Sequence, residues 1–124
     1  MLSRLAIAIV AASLSTSPAA LAQGGDWKSG RYWLRKCTSP EANGLIECAN
    51  YVRALVEYDE LRGSLGEKRF ICPPKGLTIG QSREAVVKYL RDGQGDLLQP
   101  FVSLAHDALK AAYPCPAAAS PARE

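Results

Sequence analysis

Apolar side chains recur along most of this chain with the period of a helix. The clearest case is Leu45, Cys48, Ala49, Val52, Leu55 and Val56, at spacings of three, one, three, three and one, which is one helix face. Glu47, Arg53, Glu57 and Glu60 fall largely on the other side. Gly63 and Gly66 interrupt the pattern, so this helix is expected to end near Leu61 or Arg62. An earlier helix is expected from about Asp26 to Cys37, with Tyr32, Trp33 and Leu34 apolar and Gly30 weakening its interior by about 1 kcal/mol relative to alanine. Thr38-Ser39-Pro40 ends it, and a short polar loop to Gly44 suits two antiparallel neighbours.

Downstream, Cys72-Pro73-Pro74 excludes a helix. Thr78 followed three residues later by Gln81 is a capping box, so a third helix should start just after Thr78. Val86, Val87 and Leu90 supply its buried stripe, with Ile79 near its start, and Asp92-Gly93-Gln94-Gly95 stops it. A fourth helix is expected over about Leu97 to Tyr113, with Pro100 in its first turn and Phe101, Leu104, Ala105, Ala108, Leu109 and Ala112 on its apolar face. No stretch of five or more residues alternates as a strand does. The fold class is therefore all-α, a compact four-helix bundle.

The N-terminus changes the effective length. A short basic start, the apolar run Leu5 to Leu14, Pro18 and then Ala20-Leu21-Ala22 reproduce the three regions of an export signal. The run is too short to span a bilayer, which takes about 20 apolar residues. The expected organisation is a signal peptide over 1–22 cleaved after Ala22, a helical domain over 23–116 and a mobile tail over 117–124. The mature chain then has 102 residues, with 14 basic and 12 acidic groups, and its expected place is the bacterial periplasm. A formal charge of +3, evenly spread, does not suggest nucleic-acid binding. No membrane association is expected after cleavage.

Export makes the four cysteines legible as two disulfides. A zinc site fits poorly, because there is no C-x-x-C pair and the separations are 11, 24 and 43. Cys37 ends the first helix where Cys48 begins the second; Cys72 lies just ahead of the third and Cys115 just past the fourth. If each consecutive pair packs antiparallel, Cys37–Cys48 and Cys72–Cys115 can bridge. Each bridge would contribute about 3–4 kcal/mol by loop entropy.

Candidate chemistry is sparse. One histidine excludes paired imidazoles and a His-rich metal site. Ser103, His106 and Asp107 do not share one helix face cleanly, and Glu57, Asp59 and Glu60 read as a solvated face. No phosphate loop occurs, and no enzyme activity, cofactor or metal is expected. Two loops stand out, Arg62–Arg69 (RGSLGEKR) and Asp92–Asp96. The composition of the first suits entry into a partner's cleft and a plain linker equally well.

Four blocks carry a family resemblance: SGRYWLRKC, CANYVRAL, FICPPKGLTIGQSREAVVKYL and ALKAAYPC. In this order, with all four cysteines, they resemble the Rap/Tai immunity proteins, which protect bacteria against type VI secretion amidases. The chain departs from that pattern at Asn50, Ala54 and Glu57, and in the connection RDGQGDLLQP. The resemblance implies a periplasmic, mostly helical protein, often a homodimer, that binds a peptidoglycan-cleaving amidase effector and occludes its cleft. Exposure and position, with no family motif behind them, nominate Arg62, Lys68, Arg69 and Phe70 in the first loop for partner binding. Arg91, Asp92 and Gln94 are nominated in the second. Exchanging the first loop for Gly-Ser is expected to abolish inhibition and leave the melting temperature nearly intact. The competing reading is a small periplasmic chaperone of the acid-holdase type, or an orphan family member with an envelope role. A sharp acid switch, however, would need raised carboxylate pKa values that no cluster in the sequence supplies.

Overall fold

A computed structural model describes residues 26–117; the expected signal peptide over 1–22, and the expected tail beyond its first residue, lie outside them. Four helices follow in order: α1 Gly30–Cys37, α2 Ala42–Ser64, α3 Ile79–Arg91 and α4 Phe101–Ala112. Among the described residues there is no strand, only isolated antiparallel bridges at Ser29–Pro100 and Ile71–Pro114. The all-α expectation holds, and so do both disulfides. Cys37–Cys48 and Cys72–Cys115 are formed with Cα–Cα separations of 5.1 and 4.9 Å.

Helix ends follow capping chemistry. Ser29 caps α1 by accepting the Tyr32 N–H at 3.3 Å, and Thr78 and Gln81 close the expected capping box on α3. Two boundaries differ from expectation at their N-terminal sides. Gly30 is the first residue of α1 rather than an interior one, so it costs the helix little. Its amide donates to the Gln99 carbonyl at 2.9 Å and that of Arg31 to Leu97 at 2.8 Å, so the α3–α4 loop satisfies the open donors of α1. A side chain at position 30 would collide with Leu104, which explains the glycine there. Pro100 stands before α4 instead of inside it, and Leu97–Gln99 are drawn off as acceptors for α1.

The core joins all four helices. Phe101 stacks on Trp33 at 5.2 Å and meets Tyr51 edge-on at 4.9 Å, linking α4 to α1 and α2. Val52, Ile71, Val86, Leu90, Leu104, Ala105, Ala108 and Leu109 complete it with the buried Cys37 and Cys48. Ala112, expected on the apolar face of α4, is exposed, and Ile79 is largely exposed at the start of α3. No helix among the described residues is long and apolar enough to cross a membrane.

Candidate functional site

The site begins where α2 fails to stop. The helix runs through Gly63 to Ser64 and ends on Leu65, with Gly66 at φ 82°. The Glu67 amide donates to the Arg62 carbonyl at 3.0 Å and the Gly66 amide to that of Gly63 at 3.1 Å, a Schellman termination. Gly63 is in the helix because a Cβ there would meet Cγ and Cδ of Arg69 at 2.6 and 2.5 Å. The returning chain thus lies directly on the helix, and the helix tolerates its glycine for that contact.

Asp59 holds this returning chain. Its carboxylate, only 3% exposed as a residue, accepts the Phe70 N–H at 3.0 Å, the Ile71 N–H at 3.1 Å and Arg69 Nε at 3.4 Å. Arg69 Nη2 in turn donates to the Ile71 carbonyl at 2.9 Å. Burial by itself would raise the Asp59 carboxyl. The two backbone amides, reinforced by the Arg69 guanidinium, outweigh burial and hold it below the usual carboxylate value. One buried anion therefore fixes three consecutive residues of the loop.

Phe70 is set by that clamp at the centre of a basic collar. Arg62, Lys68 and Lys110 place their cationic groups 5.4, 5.5 and 5.6 Å from its ring centroid. His106 meets the ring edge-on at 5.8 Å. Beside it the Cys72 amide donates to the Tyr113 carbonyl at 2.8 Å, so residues 70–72 run against 113–115 next to the second disulfide. Between them lies an open concavity of about 880 Å³, walled by Lys68, Arg69, Phe70, Lys110 and the Pro114–Ala117 segment. Arg62 is neutralised by Glu67 at 2.6 Å and Arg69 by Asp59. Lys68 and Lys110 form no ion pair among the described residues.

The nominated residues fall into two groups. Arg62, Lys68, Arg69 and Phe70 come together, with Arg62 on the last turns of α2 rather than in the loop. Arg91, Asp92 and Gln94 lie at and just past the C-terminal end of α3, a helix about 20 Å long at 1.5 Å per residue. Arg91 borders Cys37, Thr38 and Leu45 there, while Asp92 caps α3 and pairs with Lys88. The Gln94 amide donates to the Tyr89 carbonyl at 3.4 Å. Ser103, His106 and Asp107 line a shallow depression with Tyr58 and Val102, and His106 lies 3.8 Å from Asp107. Among the described residues no group of three or more potential ligands could hold a metal ion.

Sequence reasoning read Asp59 with Glu57 and Glu60 as a solvated face, which its 3% exposure overturns, and it missed Lys110 and the contact of His106 with Phe70. Asp59 had a usable signal. It lies seven residues after Val52 and three after Val56, so it continues the apolar stripe of α2 with a carboxylate. A charge in core phase needs partners, and here it finds backbone amides 11 and 12 residues on. Glu57 by contrast is exposed and pairs with Arg53 at 3.4 Å. Lys110 and His106 carried no comparable signal, since only tertiary packing brings α4 beside the loop.

The profile of the Rap1a immunity proteins matches residues 29–115, from the cap of α1 to the last cysteine. The chain belongs to that family. Among curated proteins and among solved structures, none matches it. Membership in the Rap1a immunity family gives the chain an immunity role, which is exercised by binding a cognate effector. The two disulfides are compatible with a secreted or periplasmic setting.

Proposed function

We propose that this Rap1a family member acts in the periplasm, where it binds a peptidoglycan amidase delivered by type VI secretion and blocks the enzyme's cleft. The family match carries the reading. Its physical support is the first loop, where a half-buried aromatic is held at the centre of a polar collar beside a covalent bridge. Interfaces that bind tightly have this anatomy, with an aromatic anchor and a charged rim. A pre-fixed loop also loses less freedom on binding than a mobile one. The protein contributes no chemistry in this scheme; it neutralises by occupying space. Arg62, Lys68, Arg69 and Phe70 form the principal contact, and Arg91, Asp92 and Gln94 can reach the same partner only if it spans the bundle.

The decisive experiment adds the protein to amidase effectors during cleavage of purified peptidoglycan. A cognate enzyme should lose its activity at equimolar inhibitor, and cells exporting the protein should survive periplasmic production of that enzyme. Unchanged activity across type VI amidases, with the inhibitor folded and oxidised, would refute the reading. Loop variants for this assay are best confined to residues 65–68. Exchange of the whole Arg62–Arg69 segment cannot leave the melting temperature intact, because it removes the Arg69 partner of Asp59 and the end of α2.

A further inference from the structure

The geometry points to Phe70 with Lys68 and Lys110, whose ammonium groups form no ion pair among the described residues, as a receptor for an acidic segment of the effector. That segment would be a surface loop carrying an apolar side chain flanked by carboxylates. The inference rests on the effector-binding reading and adds the partner's chemistry to it.

Three cations within 6 Å of one ring repel each other, and among the described residues only Arg62 has its charge answered, by Glu67. The ring's π face offsets part of that repulsion, because an aromatic quadrupole attracts cations to its face. It leaves the ammonium protons of Lys68 and Lys110 available to an acceptor, and charge-assisted hydrogen bonds to carboxylates are the strong ones. Lys68 projects from the loop and Lys110 from α4, so the two cations approach the ring from different elements. The floor between them is apolar: Phe70 with Pro114, Pro116 and Ala117. A ligand matching this surface buries an apolar group on the floor and places an anion beside each lysine.

Two cations over an apolar floor suit a folded protein's carboxylates better than a phosphate polymer or an anionic bilayer. Both of those are held by larger basic patches. The overall charge of +3 agrees, being too small to draw such surfaces from a distance.

The test titrates the isotope-labelled protein with a short peptide alternating Asp and Phe, and with its Asn counterpart, following amide resonances. Expected are shifts at Lys68, Phe70 and Lys110, binding about ten-fold tighter for the acidic peptide at low salt, and loss of that preference at high salt. Lys68→Glu with Lys110→Glu should remove the preference, while Arg35→Glu, at an exposed position of α1 outside the concavity, should leave it. Equal binding of the Asn peptide, or shifts elsewhere, would overturn the proposal. So would capture by phosphatidylglycerol vesicles in place of the peptide. Cell protection separates the two levels of inference. If the Lys68→Glu, Lys110→Glu protein protects as wild type does, the receptor assignment fails and the immunity reading stands. If wild type protects against no amidase, that reading fails, and the peptide titration still decides the charge preference.

Discussion

At one end of the bundle the Cys37–Cys48 bridge lies inside the core, its residues 3% and 0% exposed. At the other end the Cys72–Cys115 bridge is half-buried and borders the concavity beside Phe70. The first joins two helices that already share a short connection, and both of its cysteines belong to the buried core. The second closes 43 residues and ties a loop to the end of α4, among lysines and an arginine. The same covalent device thus serves two purposes. Where it lies within the core it joins α1 to α2; where it lies at the surface it ties the segment that follows Phe70 to the end of α4.

Breaking the bridges gives the largest expected effect. Cys72→Ser with Cys115→Ser should lower stability by about 4 kcal/mol through the longer loop, and Cys37→Ser with Cys48→Ser by about 3 kcal/mol, both read from urea unfolding. The contrast sharpens in function, since the loss of inhibition measured on the folded protein should follow the 72–115 variant. Equal loss from both would erase the distinction between the ends.

Next in size is the clamp. Asp59→Ala leaves the Phe70 and Ile71 amides without their acceptor and should cost about 2–4 kcal/mol, with faster hydrogen exchange at Ile71. Because the folded carboxyl titrates below its unfolded value of about 3.9, the contribution is complete above that pH. It is lost as pH falls through the depressed folded value. Wild type and variant should therefore differ by a constant amount near neutrality and converge in strong acid. A gap that widens on acidification would reverse the assigned sign.

At the opposite end, Gly30→Ala should cost about 1–3 kcal/mol, because the added methyl meets Leu104 and the core has little room to shift. Arg91→Ala should be smallest, within about 0.5 kcal/mol in chemical unfolding and without effect on inhibition. A large loss of inhibition there would show that the effector spans both ends.

Much of the architecture was legible because it is local. The Thr78–Gln81 box, the breaker cluster after α3 and the positions of the cysteines relative to the helices can all be read within a few residues. The boundaries that differed were set by distant partners. Gly63 reads as a helix breaker until Arg69 lies across it, and Pro100 reads as a first-turn residue until α1 claims the carbonyls before it. The site was half legible for the same reason. Its loop residues could be nominated from charge and exposure, whereas Lys110 and His106 belong to it only through the packing of α4.

The Asp59 clamp grips mainly main-chain amides, which every residue except proline supplies. What projects from positions 68 and 70 can therefore be exchanged while the mounting stays as it is. A lineage facing a changed toxin could re-key this tip by point substitution, with the bundle, both bridges and the buried carboxylate passed on unaltered.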